Sequence, residues 1–279
     1  MTERNKEELI MRAKTKLTRL CSILLTLVLL VGILPAAALA AGPATATADF
    51  TNETKAAAAL ALLNTYKTGA ADSTWNSDTK TLTLNGVNFT TSAAIAMKLP
   101  AGATIVLADG TTNTIKGGSL SNHCYGIYAN NSLTISGAGT LNVTGGNTGS
   151  LYDSYGIYTD DGDINITGGT VNATGGTAGT DSYGIFLKGS SGSVNISGGI
   201  VTATGGTAHR YSYGIFLRGS SGSVGSVNIS GGTVIAEANN YALIKQPTLR
   251  AAICPVQEIP LPTMWQSATL RLLPLCPLL

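Results

Sequence analysis

The sequence predicts an all-β chain wound as a parallel β-helix, a solenoid of about 28–30-residue coils with three short strands each. Three observations carry this reading. A phrase recurs as Tyr125-Gly-Ile-Tyr, Tyr155-Gly-Ile-Tyr, Tyr183-Gly-Ile-Phe and Tyr213-Gly-Ile-Phe, with an echo at Tyr241-Ala-Leu, in steps of 30, 28, 30 and 28 residues. Between the phrases apolar residues alternate, as in Leu133, Ile135, Leu141 and Val143 and again in Ile164, Ile166, Val171 and Ala173. Beyond residue 70 no helical periodicity is left. A fixed internal period overrides a count of domains from length, and period-two alternation marks half-buried strands. Identical phrases are satisfied most simply by stacking like on like, each strand pairing with its equivalent about 4.8 Å above and below. Glycine pairs between the strands supply the corners.

The chain before the repeats divides in two. Arg12, Lys14, Lys16 and Arg19 precede an apolar run from Cys21 to Leu34, then Pro35 and Ala38-Leu39-Ala40. That order is a secretory signal peptide over residues 1–41, and 14 apolar residues are too few to span a bilayer comfortably. The expected location is therefore secreted or cell-surface, with no membrane span in the mature protein. Residues 42–74 read as a linker with one helix, Asn52 to Leu63, where Asn52 offers a cap to a run of strong helix formers. The repeat domain is expected over 75–243.

Charge excludes one class of partner. Residues 1–40 hold six of the 17 Lys and Arg and three of the 15 Asp and Glu, so the rest carries 11 against 12 and a net charge of −1. Without clustered cations no nucleic acid is expected. Cys124, Cys254 and Cys276 follow the leader, an odd number with no metal-ligand spacing. Glycine does not occur after Gly232, and six of nine prolines fall in the last 33 residues. Proline cannot donate to a strand ladder, so residues 244–279 read as an atypical segment, either a cap or an out-of-frame tail.

Outward positions also repeat. Asn165, Asn195 and Asn228 occupy equivalent places, preceded by Thr134, and Asn142 and Asn172 form a second set followed by Thr202. Stacked amides can hydrogen-bond along such columns, and their Asn-x-Ser/Thr matches read as by-products of the repeat.

The earlier coils are looser copies. Trp75-Asn76, Leu82-Thr-Leu-Asn-Gly-Val87 and Leu133-Thr-Ile-Ser-Gly-Ala-Gly-Thr-Leu-Asn-Val143 together resemble a family of secreted bacterial proteins described as carbohydrate-binding-domain-containing, and the resemblance covers Trp75 to Leu243. In this alignment Ile95 stands where Ile127 stands one coil later. The resemblance implies a right-handed helix and an extracellular, non-enzymatic protein that binds acidic polysaccharide or cell-wall glycan, with Ca²⁺ as its one cofactor.

Candidate chemistry lies beside the recurring phrase. Two residues before each tyrosine come His123, Asp153, Asp181 and Tyr211, so stacking places Asp153 and Asp181 about 4.8 Å apart. Carboxylates that close share a proton, hold a cation such as Ca²⁺, or splay into water. Asp160, Asp161 and Asp163 form the densest acidic patch, either a solvated corner or Ca²⁺ ligands without the EF-hand spacing. Tyr128, Tyr158, Phe186 and Phe216 follow the inward isoleucines; alternation turns them outward as a strip suited to sugar rings, whereas a bend after the isoleucine folds them into the core. Tyr125, Tyr155, Tyr183 and Tyr213 then take the opposite face. Loops carrying Tyr152, Asp153, Asp181, His209, Arg210 and Tyr211 are a second candidate binding face, with Arg210 available to an acidic sugar.

Enzyme signatures are sparse: the two histidines, His123 and His209, lie near no serine or cysteine motif. A non-catalytic carbohydrate-binding protein, a surface scaffold or adhesin without small ligand, and a polysaccharide lyase or hydrolase remain as alternatives, because this fold serves all three.

Overall fold

The computed structural model describes residues 44–189, 192–219, 225–246 and 268–272, and its side chains through residue 240. The expected leader over 1–41 and most of the proline-rich segment lie outside the described residues. Strand β1 (Ala48–Asp49) and helix α1 (Glu53–Thr65) come first, then a hairpin of β2 (Thr74–Asn76) and β3 (Thr81–Leu84), and β4 (Asn88–Thr90). About five coils follow. They comprise β5 (Ile95–Leu99), β6 (Ala103–Leu107) and β7 (Thr112–Lys116); β8 (Cys124–Ala129), β9 (Leu133–Gly137) and β10 (Thr140–Thr144); β11 (Ser154–Thr159), β12 (Ile164–Ile166) and β13 (Thr170–Thr174). After these come β14 (Asp181–Lys188), β15 (Val194–Ile196) and β16 (Ile200–Thr204), then β17 (Tyr211–Arg218), β18 (Val227–Ile229) and β19 (Thr233–Ala238). β20 (Tyr241–Gln246) and β21 (Ala268–Leu272) are the last.

Like segments stack, and three seven-stranded sheets result. The first holds β1, β5, β8, β11, β14, β17 and β20; the second runs from β2 and β3 through β6, β9, β12 and β15 to β18; the third runs from β4 through β7, β10, β13, β16 and β19 to β21. Register follows the sequence repeat: Tyr155 pairs with Tyr183 and Ile157 with Ile185, while Leu141 pairs with Val171. One alignment is corrected. Met97, not Ile95, lies opposite Ile127, and Ile95 lies opposite Tyr125. The shift is one strand period: fully buried Met97 fills the interior, and Lys98 comes beside Tyr128 with its ammonium 5.5 Å from the ring centroid.

The interior is aliphatic. Ile127, Leu133, Ile135, Leu141 and Val143 are all fully buried in one coil, as are Ile164, Ile166, Val171 and Ala173 in the next. Amide columns tie the outer faces, with Asn172 Nδ2 donating to Asn142 Oδ1 at 2.8 Å and Asn195 Nδ2 to Asn165 Oδ1 at 2.9 Å. Asn228 Nδ2 continues the second column to Asn195 Oδ1 at 2.7 Å.

The ends of a solenoid expose unpaired strands and apolar coil tops. At the first end the Asn52 side chain accepts from Lys55 N and caps α1, whose Ala56, Ala59 and Leu63 join the aliphatic interior. Part of the stretch read as a linker is itself paired, since Ala48 and Asp49 of β1 lie beside Met97 and Lys98. Phe50 and Trp75 pack with ring centroids 5.0 Å apart over the same end. At the other end, parallel pairing in the first sheet reaches Gln246, and β21, drawn from the proline-free stretch between Pro262 and Pro274, runs antiparallel along β19.

Corners and close approaches depend on glycine. A Cβ on Gly156 would lie 2.5 Å from Gly184 O and 2.9 Å from the Thr174 backbone. Gly156→Ala is expected to cost about 1–3 kcal/mol, whereas Gly69→Ala, with nothing within 4 Å of the added carbon, changes stability by less than about 0.5 kcal/mol. Urea unfolding of the two variants checks the contrast; equal losses contradict the stacked arrangement.

Candidate functional site

The recurring phrase builds one surface of the first sheet. Alternation fails at its glycine: a Cβ on Gly126 would run into the side chain of core residue Val143, and the next residue, Ile127, is also in the core. Two successive residues thus face inward and the fourth residue of the phrase returns to the side of the first. Both aromatic columns therefore share a face, which corrects the expectation that they take opposite ones. Tyr125, Tyr155, Tyr183 and Tyr213 stack at centroid distances of 4.9, 5.1 and 5.0 Å with planes within 8°. Tyr128, Tyr158, Phe186 and Phe216 stack alongside at 5.0, 5.4 and 5.4 Å. Edge contacts join the columns, as between Tyr155 and Tyr158 at 5.1 Å and 71°.

These rings form a cluster of their own, separate from the aliphatic interior. Tyr155, Tyr158, Tyr183 and Phe186 are only 7, 6, 6 and 3% exposed, because each ring face is covered by the ring of the next coil. Sugar stacking needs a free ring face; along this panel the interior rings offer edges.

Hydroxyls at the panel's margins meet carboxylates. Tyr155 donates to Asp153 Oδ2 at 3.0 Å, Tyr158 to Asp160 Oδ1 at 3.0 Å and Tyr183 to Asp181 Oδ2 at 3.1 Å. Burial, reinforced by these anionic neighbours, raises the phenol pKa values of all three well above the ordinary tyrosine range. Asp153 and Asp181 do stack, and the backbone fills the gap between them: Asp181 N donates to Asp153 Oδ1 at 3.0 Å. One coil earlier Asp153 N donates to His123 Nδ1 at 3.0 Å, and one coil later Tyr211 N donates to Asp181 Oδ1 at 3.2 Å. Arg210 closes the set with a two-pronged contact to Asp181, Nε to Oδ1 at 2.9 Å and Nη2 to Oδ2 at 2.8 Å.

The acidic patch is dispersed in the same way. Asp160 accepts from Lys188 Nζ at 2.9 Å, and that contact, aided by Tyr158 and opposed by burial, holds its carboxyl below the usual range. Asp161 Oδ1 accepts from Gly162 N at 2.9 Å, and Asp163 Oδ1 from Ser193 N at 2.7 Å. Among the described residues no three His, Cys, Asp or Glu side chains converge closely enough to share a metal ion.

The loops are stacked rather than free. Thr148 N donates to Thr177 O at 2.9 Å and Ala178 N to Thr207 O at 2.8 Å, while Thr180 N donates to Tyr152 O at 3.1 Å and Arg210 N to Thr180 O at 2.9 Å. Tyr152 packs edge-on against His123 at 5.4 Å, and Tyr211 is 40% exposed with the Arg210 guanidinium 5.5 Å from its ring centroid. Thr148, Gly149, Ser150, Thr177, Ala178, Gly179 and His209 line an open groove of about 560 Å³.

The strands of the third sheet that precede these loops in the chain carry a polar outer face. Pairing in the third sheet sets Thr140 beside Thr170, Asn142 beside Asn172 and Thr144 beside Thr174, which in turn meets Thr204. A further exposed column, Ser119, Asn147, Thr177 and Thr207, directly follows the glycine pairs. The recurring Thr-x-Asn-x-Thr-Gly-Gly phrase was the available signal.

Stability should depend on pH at both extremes. The raised phenol values mean that the tyrosine contribution is complete below the unfolded value of about 10 and declines as pH rises above it, because the unfolded chain ionises first. The lowered Asp160 value works oppositely: its contribution is present above about pH 4 and is lost as pH falls. Melting temperature against pH, with tyrosinate absorbance recorded in parallel, is expected to show part of the tyrosine titration only together with loss of the β signal. Complete titration of a folded protein near pH 10 contradicts the panel's burial.

Among the described residues no helix is long and apolar enough to cross a membrane. No curated protein and no solved structure matched the chain. A family model for carbohydrate-binding domain-containing proteins matches residues 64–251, more than half of the chain, from the end of α1 through the last parallel strand. By that match and the parallel solenoid it accompanies, the chain belongs to the carbohydrate-binding domain-containing protein family.

Proposed function

We propose that the chain is a secreted or cell-surface polysaccharide-binding protein that does no chemistry on its ligand. The observation that carries this reading is the hydroxyl and amide surface of the third sheet, from which the chain passes, three residues after Thr174, to Thr177 of the groove along the stacked loops. Sugars are recognised by hydrogen bonds to such groups, with exposed aromatics such as Tyr211 at the margin. The basic and apolar order of residues 1–40 supports export.

A non-catalytic role is favoured by the state of the carboxylates. A general acid needs a free carboxyl within reach of a glycosidic oxygen, whereas Asp153 and Asp181 are engaged by backbone amides, tyrosine hydroxyls and Arg210. The same engagement supports binding that is independent of Ca²⁺, since a cation would have to displace these donors. A scaffold role without small ligand is the second reading, favoured by an aromatic panel whose ring faces are spent on each other.

Native electrophoresis of the full chain through gels containing single polysaccharides tests the proposal. Retardation by at least one polymer is expected, unchanged by EDTA and without release of reducing ends or unsaturated products. Migration unaffected by every polymer contradicts binding; product release contradicts the non-catalytic reading. Melting temperatures that agree in EDTA and in millimolar Ca²⁺ are expected as well, and a rise with Ca²⁺ overturns the metal-independent account.

A further inference from the structure

Resting on the glycan-binding reading, we infer that the ligand is an uncharged polysaccharide lying along the solenoid axis on the third-sheet face. The first argument is charge. Strands β10, β13 and β16 and the corners that lead into them carry no charged side chain; charge enters the sheet beyond them, at Lys116 of β7 on one flank and at Glu237 of β19 and Arg271 of β21 on the other. The loop cation Arg210 is committed to Asp181 at 2.8 Å. A polymer of uronic acids laid across β10, β13 and β16 would bring carboxylates onto strands with no counter-charge, losing hydration without a partner. A neutral polymer meets hydroxyls and amides that match its own.

The second argument is repeat. Around one coil the outward groups differ, Thr140, then Asn142, then Thr144, then Asn147. Along the axis they are nearly constant: Thr144, Thr174 and Thr204 lie in one column and Asn147, Thr177 and Thr207 in another. The axial step is the strand spacing, about 4.8 Å, close to the length of one sugar residue in an extended chain. A homopolymer therefore finds the same partner at each step only if it runs along the axis. β-Branched threonines, stiff about χ1, hold the array in place.

The face can be altered without endangering the fold, because its third column natively holds Lys116 and Glu237. Thr144→Glu combined with Thr204→Lys places two charges two coils apart, each beside a native residue of opposite sign, Lys116 and Glu237. Titration of the full chain with soluble glucomannan, xyloglucan and mixed-linkage glucan, and separately with polygalacturonate, all in EDTA, reads the outcome. Binding to at least one neutral polymer is expected, weakened about tenfold or more by the double variant, the equivalent of about 1.4 kcal/mol. Thr134→Glu, on the second sheet, should leave it unchanged while melting temperatures stay level. Affinity for oligosaccharides of the bound polymer should climb with each added sugar beyond the disaccharide.

Binding to polygalacturonate alone overturns the inference and leaves the glycan-binding reading intact. Unchanged binding in the double variant overturns the face, and a plateau at the disaccharide overturns the axial path. Binding to none of the polymers removes the glycan-binding reading and this inference with it.

Discussion

In-register stacking of like segments is the constraint from which the other features follow. From β5 through β20 each strand takes its parallel partners from the coils above and below, so a residue's neighbours are its own counterparts 28 to 33 positions away. Close backbone approach at the corners and at the phrase's glycine keeps that register, and an added Cβ at Gly156 would meet only backbone. Side chains then arrange themselves in columns, and each column is favourable or not according to what it places on itself. Leucine and isoleucine on themselves make the interior. Asparagine on asparagine makes amide chains, and tyrosine on tyrosine a ring stack.

Columns also decide which groups remain available. Aromatic rings stacked at about 5 Å cover one another's faces, and aspartates stacked on aspartates take the backbone amide of the next coil between them. Groups that would ordinarily mark a sugar-binding or acid–base site are thereby absorbed into the scaffold. The third sheet differs: its strands β10, β13 and β16 present half-buried threonine and asparagine side chains without charge, Asn142 and Asn172 joined to each other as an amide chain. Cys124 fits the same logic. It pairs in register with Ser154, which is followed in turn by Ser182 and Ser212, so it is a variant of a buried structural position.

Much of the fold was legible in the sequence because period and alternation are local signals. The coil length, the three strands and the amide columns are read from spacing, and the Asn52-capped helix from a run of strong helix formers. Three features were not legible. The shared face of the two aromatic columns depends on the Gly126 and Ile127 pair both turning inward, which strict alternation cannot anticipate. The Met97 register depends on which of two apolar residues fills the interior. The commitment of Asp181 depends on Arg210, a loop residue of the following coil whose reach is fixed only once the loops stack. The candidate site was legible in its pieces, and its ranking was not: aromatics and acids stand out in a sequence, whereas repeated threonines read as ordinary strand surface.

Paired cysteines test the stacking most directly. In a chain with Cys21, Cys124, Cys254 and Cys276 replaced by serine, Thr144→Cys with Thr174→Cys joins direct strand neighbours, and Thr144→Cys with Thr204→Cys joins residues two coils apart. Adjacent coils lie within disulfide reach and alternate coils, at roughly twice the 4.8 Å spacing, do not. Mild oxidation is expected to cross-link the first pair and leave the second reduced; cross-linking of the second pair as readily as the first, or of neither, contradicts the account.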